Sequence, residues 1–278
     1  MKPQQVEKVV QGVLWVNGLL TVVILLVIIV YILSQGLPMI DWDFLTGSPR
    51  KMGAAGGIFP AIVSTVYFVI VTVVVATPLG IGTAVFLAEY APSGLFTRWV
   101  RFGVNVLAGI PSIVYGLFGF TFFVVILKPL TGGWSILSGS LTAALMMLPV
   151  LVRSTEEAIK ALPRSYVEGS LALGATKWQT IARVVLPAAM PGILTGIILG
   201  VGRIVGETAA LLVTLGGSVL LPASVFDPAR TLAMHIYLVA MEVGAMEVAF
   251  GAAAVLILLV LTINLAARLV GRFYAGVR

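Results

Sequence analysis

Residues 168–187 read EGSLALGATKWQTIARVVLP, a polar, basic, turn-punctuated stretch in a chain of 278 residues that is 60% hydrophobic and only 10% charged. A soluble domain carries about a quarter of its residues as Asp, Glu, Lys and Arg, because its surface must be solvated. The shortfall here means that most of the surface faces something other than water. The long apolar runs flanking the stretch identify that medium as a bilayer, whose core takes about 20 apolar residues per helix. The fold class is an all-α integral membrane protein, and residues 168–187 form a polar island between two spans. Within the island the spacing predicts helix, glycine turn, helix. Ser165 with Glu168 has the spacing of a capping box, and Gly174 supplies a left-handed stop. Thr176 with Gln179 is a second box, opening a helix that runs to about Val185, before Pro187.

Outward from the island, spans fall near residues 13–33, 61–89, 102–127, 136–158, 189–216 and 244–270, giving six transmembrane helices. The first run exceeds the roughly 7 to 15 residues of a signal-peptide core and no small-residue cleavage site follows it, so it reads as a retained span. With the N-terminus inside, Lys2, Lys8, Arg98, Arg101, Arg153, Lys160, Arg164, Lys177, Arg183, Arg268, Arg272 and Arg278 are cytoplasmic. Only Arg50, Lys51, Lys128 and Arg230 then lie outside, as the positive-inside rule requires. Both termini and the island therefore face the cytoplasm. The net charge of +6 is topological and does not point to nucleic acid; a DNA-reading helix pair would not be tethered by spans on both sides. All five tryptophans fall near span ends or in loops, as interfacial aromatics do.

Cysteine is absent, which excludes disulfides and thiolate metal sites. Asp41, Asp43 and Asp227 are too scattered to hold a metal. His235 reads as an interfacial residue of an outer loop, and Arg153 with Glu157 and Glu156 with Lys160 read as solvated helix pairs. No Gly-Lys dipeptide occurs, so a Walker A loop is excluded and the chain is not itself an ATPase.

The run Glu168-Gly169-Ser170, three residues, Gly174, nine residues, Val184-x-Leu186-Pro187 resembles the EAA loop of ATP-binding-cassette importer permeases. The usual form is Glu-Ala-Ala, three residues, Gly, nine residues, Ile-x-Leu-Pro, so Gly169, Ser170 and Val184 are small or conservative departures. Further stretches, ATPLGIGTAVFLAEYAP at 76–92, LAGIPSIVYGLFGF at 107–120 and GILTGIILGVGRIVGETAALLVTLG at 192–216, are similar to the phosphate-specific importer permeases of the PstA type. The likeness covers roughly residues 58 to 270. It implies a type I ABC importer permease fold with cytoplasmic coupling helices. The division it implies is an N-terminal helix and outer loop over 1–57, a permease core over 58–270 with its coupling loop at about 153–187, and a cytoplasmic tail over 271–278. Glu168, Gly169, Ser170, Gly174, Val184, Leu186 and Pro187 would then dock on the ATPase. The implied partners are a second permease subunit of the PstC type, two copies of a PstB-type ATPase that bind ATP with Mg, and a PstS-type phosphate-binding protein. The implied substrate is inorganic phosphate, and the implied location is a bacterial or archaeal cytoplasmic membrane.

The fifth span carries its own argument. At 100° per residue, Gly192, Gly196, Gly200, Arg203, Glu207, Ala210 and Thr214 share one sector about 80° wide. Small residues there admit a close helix neighbour, and charges on that stripe must face the bundle or a wet cavity, because a charge facing lipid costs at least ~2.5–3.5 kcal/mol. Arg203 and Glu207 are i,i+4 partners, readable either as a self-neutralised pair or as a substrate path or gate. A guanidinium suits a tetrahedral oxyanion through its paired N–H donors. Pro78, Pro111 and Pro149 each break or kink a span, freeing backbone groups that a lined cavity could use; Pro111, Ser112, Tyr115 and Thr214 are candidate path lining, whereas Pro78 and Pro149 read as structural kinks. Two other transport readings stay open on the residues alone: a permease for sulfate or molybdate, and an ion-driven carrier in which Arg203 and Glu207 relay charge.

Overall fold

The computed structural model describes residues 3–276 apart from Ser93; Lys2 and Arg278, with the side chain of Arg272, lie outside the described residues. Among the described residues five helices are long and apolar enough to cross a membrane, and a bent pair, taken as one, makes a sixth span. Helix α1 (Pro3–Gly36) is apolar all round and exposed along most of its length, a state a helix sustains in lipid and not in water. Short elements follow: α2 (Trp42–Thr46), capped by Asp41, and an antiparallel hairpin of β1 (Pro49–Arg50) and β2 (Ala55–Gly56). Next comes α3 (Phe59–Val85), which a π turn carries on to Tyr90.

Helices α4 (Leu95–Gly109) and α5 (Ser112–Gly119, prolonged by a π turn to Ile126) meet at a bend of 104°. The span expected over 102–127 is thus broken at Pro111, where the sequence predicts a break or kink. Pro111 has no N–H to give to a helix and disfavours helical backbone at the residue before it; Ile110 is accordingly extended, with ψ 130°. The short α6 (Lys128–Thr131) leads to α7 (Ile136–Lys160), and α8 (Arg164–Ala172) with α9 (Lys177–Thr180) fills the polar island. Then come α10 (Leu186–Val205), α11 (Ala209–Thr214), α12 (Leu232–Leu238) and α13 (Met246–Gly276).

The span expected at 189–216 also needs revision at both ends. Helix runs unbroken from Lys177 to Val205 and then stops, with residues 206–208 outside it. Residues 271–276 continue α13 and so belong to the last helix.

Helix α7 is the hub, with α3, α10, α5 and α4 all packed on it. Its fit to α10 is made by the glycine stripe. A Cβ on Gly196 would meet the Ser154 Cβ at 2.8 Å, one on Gly200 would meet Met147 at 2.7 Å, and one on Gly192 would strike Ala158. The Ser154 hydroxyl, freed by that approach, donates to the Gly192 carbonyl at 3.0 Å. Gly80 of α3 admits Leu151 in the same way, at 2.6 Å. Phe68, Ala76, Met147, Leu151, Ile204 and Leu215 fill the resulting core.

Gly196→Ala therefore lowers the thermal midpoint of the detergent-solubilised protein, by an overpacking cost of about 1–3 kcal/mol. Gly202→Ala, whose added methyl meets nothing within 4 Å, leaves the midpoint unchanged or raises it; equal effects of the two substitutions would contradict the packing described.

Candidate functional site

The island forms a helical elbow. Helix α8 buries none of its residues, and Glu168, Gly169 and Leu173 lie at the surface, Leu173 at 91% exposure. The capping box expected at Ser165 and Glu168 does not form, because the helix already begins at Arg164 after Pro163 and Ser165 lies inside it. Gly174 adopts the left-handed stop, with φ +84°. The second capping box is present: Thr176 accepts the Gln179 N–H at 3.3 Å and the Gln179 side chain accepts the Thr176 N–H at 2.8 Å. The Ser170 and Thr180 hydroxyls, 2.9 Å apart, tie the arms of the elbow together.

Contrary to expectation, the second arm does not end before Pro187. A π turn over Ile181–Val185 joins α9 to α10. Proline lacks an N–H and its ring clashes with the carbonyl four residues back; a wide turn at that point lets the helix continue past it. Val184 and Leu186 are half-buried at this junction, Pro187 is exposed, and Ile181 and Val185 pack against Val85 and Ile159.

The far end of the same rod carries Arg203, half-buried in the last turn of α10. Arg203 and Glu207 do not form the expected pair: among the described residues no ion pair joins them. The helix breaks between them, so the shared stripe ends with it. Glu207 instead accepts the Ala210 N–H at 3.2 Å, at the start of α11. Each charge thus complements a helix end, cation at the carbonyl end of α10 and carboxylate at the amide end of α11.

This break lies beside the one at Pro111. Gly116 of α5 packs on Ala210, a Cβ there meeting the Ala210 Cα at 2.8 Å. Tyr115 is buried, its hydroxyl donating to the Leu107 carbonyl at 2.8 Å across the bend and lying within electrostatic reach of Arg203. Pro111 is exposed and Ser112 half-buried at the start of α5, whereas Thr214 is enclosed, its hydroxyl donating to the Ala210 carbonyl at 2.9 Å. Helix interruptions at membrane depth survive only where protein or a water-lined cavity serves the freed backbone groups. Two of them meet here, with Arg203 in the last turn before the second.

Other polar contacts depart from the local pairs read in the sequence. Arg153 binds the Asn105 side chain of α4 in place of Glu157. Glu156 keeps Lys160 at 2.6 Å but also takes Arg101 of α4 at 2.8 Å, while Arg101 donates to the Leu87 carbonyl of α3. Sequence reading missed Arg101 because the partners lie 55 residues apart and no local spacing links them.

At the end opposite the elbow, His235 is not interfacial. It sits in α12 with 1% exposure, and neither ring nitrogen has a partner. A Cβ on Gly53, beyond β1, would meet the ring at 2.8 Å. Burial, and secondarily the Arg230 charge, hold the imidazole pKa down to about 4. Arg230 itself donates to the carbonyls of Gly217 and Met52 at 3.0 and 3.4 Å.

A six-span helical subunit, with a polar elbow at one end and paired helix breaks beside a half-buried cation, has the architecture of a transport permease. The chain belongs to the family of binding-protein-dependent transport system inner membrane components, whose model matches residues 76–275; it is a multi-pass membrane subunit of an ABC importer. It is 39% identical to a probable ABC transporter permease protein of Bacillus subtilis, YqgI, over 95% of each chain. It is 42% identical to the phosphate transport system permease protein PstA 1 of Mycobacterium tuberculosis, over 80% of this chain and 72% of that one. With PstA of Haemophilus influenzae it shares 31% identity over 95% and 93% of the two chains. Among solved structures, a chain of a bacterial ABC transporter involved in the import of the polysaccharide alginate superposes with TM-score 0.66 at 18% identity, over 97% and 98% of the chains. A chain of the inward-facing MetNI methionine transporter gives 0.62 at 21%, over 78% and 95%. Both confirm the type I importer permease fold.

His235 sets a pH dependence. Its native pKa lies below the ordinary 6.5, so on acidification the unfolded chain takes up the proton first. The corresponding stability is intact above about pH 6.5 and is lost between there and about pH 4, at up to ~1.4 kcal/mol per pH unit. Thermal midpoints recorded over that window should show this slope in the wild type and a shallower one in His235→Leu; parallel curves would refute it.

Proposed function

We propose that this chain is the transmembrane permease subunit of an ATP-driven phosphate importer, supplying half of the translocation path and coupling it to a separate ATPase. One observation carries the mechanism: a single 29-residue helix runs from the elbow at Lys177 to Val205, so the surface handle and Arg203 are two ends of one rod. The identity with permeases named for phosphate transport, sustained over most of the chain, supports the choice of substrate.

On this reading the elbow faces the cytoplasm, as do both termini. Residues 168–174 of α8 and its turn seat on a PstB-type ATPase, two copies of which bind ATP with Mg, and the chain pairs with a PstC-type permease. A PstS-type binding protein delivers phosphate at the opposite face. Closure of the ATPase pair draws the elbows together, and each rod carries the motion to the interrupted region around Arg203. There the guanidinium offers planar paired donors to a tetrahedral oxyanion. Its place at the carbonyl end of α10 neutralises it in the absence of substrate without a bound carboxylate that phosphate would have to displace. The chain catalyses nothing alone; the hydrolytic step belongs to the partner.

The test is uptake of labelled phosphate at limiting concentration in cells lacking the chain, with and without its re-expression and with excess sulfate. Restored, ATP-dependent, sulfate-insensitive uptake is expected. Arg203→Gln should abolish it while the complex still assembles. Sulfate competition would transfer the reading to another oxyanion, uptake driven by membrane potential alone would replace it with an ion-driven carrier, and normal uptake by Arg203→Gln would remove Arg203 from the path.

A further inference from the structure

The rod explains how a push on α8 reaches α10, but it leaves α3, the other long helix packed on the hub, without a covalent link to the elbow. A noncovalent contact, made by a residue that the EAA pattern leaves unspecified, connects the two. Lys177, the first residue of α9, holds its ammonium 4.6 Å above the centre of the Tyr90 ring and donates to the Glu89 carbonyl. Both acceptors belong to the π turn that ends α3. Among the described residues this is the one hydrogen bond joining the end of α3 to the elbow; the remaining contact is apolar, through Val85, Ile81 and Ala88 against Ile181 and Val185. The lysine suits the place in two ways. A cation complements the carbonyl end of a helix, and an aromatic face attracts it without restricting its approach to one direction.

The capping box fixes Lys177 in turn. Thr176 and Gln179 on either side satisfy each other's backbone, so the first turn of α9 is held and the lysine stem leaves from a fixed point. We propose that Lys177 is a positioning residue for coupling: it locks the cytoplasmic end of α3 to the elbow, so that α3 and α10 respond to the ATPase as one body. This inference rests on the permease reading above. It differs from ATPase docking, because the atoms Lys177 engages lie within this chain.

The experiment uses the complete transporter reconstituted in vesicles, with phosphate-loaded binding protein inside the assay and both labelled phosphate uptake and ATP hydrolysis recorded. Lys177→Met is expected to lower phosphate moved per ATP by roughly tenfold or more, the scale of one charged hydrogen bond with a cation–π contact, and Tyr90→Leu, which keeps the bond to the Glu89 carbonyl, by roughly two- to fivefold. The KM values for ATP and phosphate should hold. Combining the two substitutions should add nothing beyond Lys177→Met, because the lysine takes part in both contacts. Lys177→Arg and Tyr90→Phe keep cation and ring, and should restore the ratio.

A wild-type ratio in Lys177→Met would overturn the inference. So would a double variant worse than Lys177→Met alone, which separates Tyr90 from the lysine, or loss of ATPase from the purified Lys177→Met complex, which assigns the lysine to the ATPase surface. Absence of ATP-dependent phosphate uptake by the wild-type complex is a separate result, and overturns the importer reading itself.

Discussion

Lipid offers the backbone no hydrogen bonds, and that constraint governs the molecule. Every peptide group at membrane depth must be satisfied by the chain itself, which leaves helices as the only segments free to face the bilayer. Long spans such as α1 and α13 need nothing further. Two interruptions, at Pro111 and at residues 206–208, lie near the place where α5 packs on α11 through Gly116 and Ala210. Gly109, Pro111 and Gly206 stay exposed in this chain, so the backbone groups freed there call for water or a partner surface. Arg203, half-buried, stands just ahead of the second interruption.

The same constraint explains how charges are distributed among helices. Glu156, nearly enclosed in α7, is held by Arg101 from α4 and Lys160 from its own helix. Leaving a buried carboxylate with one partner removed is strongly destabilising, whereas a fully partnered one contributes little net energy and much specificity of position. Arg101 reaches both Glu156 and the Leu87 carbonyl, so it fixes α4 against α3 and α7 together. The glycine contacts between α7 and α10 set distance, and these polar contacts set register. Between them they define how the inner halves of four helices are held.

Much of this was legible in the residues. The spans, the glycine stripe, the left-handed Gly174 and the capping box at Thr176 all depend on period or local geometry, which a linear sequence carries directly. The errors share one cause. Pro163 and Pro187 each restrict the helix around them, and the outcome depends on what the surroundings can accept: a new start at Arg164, or a π turn that passes straight through. The pairing of Arg203 with Glu207 failed for a related reason, since i,i+4 spacing means proximity only while the helix persists. His235 was misjudged because its burial comes from Gly53, far away in sequence. Arg101 with Glu156, and Lys177 with Tyr90, are likewise long-range contacts without a local signature.

The π turn ahead of Pro187 has an angular consequence. The wide turn over Ile181–Val185 fits one residue more than an α turn into the same revolution, so it absorbs that residue without changing the phase of the helix on either side. Deleting a single residue within 181–185 would shorten the rod slightly and leave Lys177 and α8 facing as they do. The same deletion in the plain α segment of α10 would swing them by about 100° around the axis, because each α-helical residue advances the phase by that much. The mechanical linkage would then remain intact and point the wrong way.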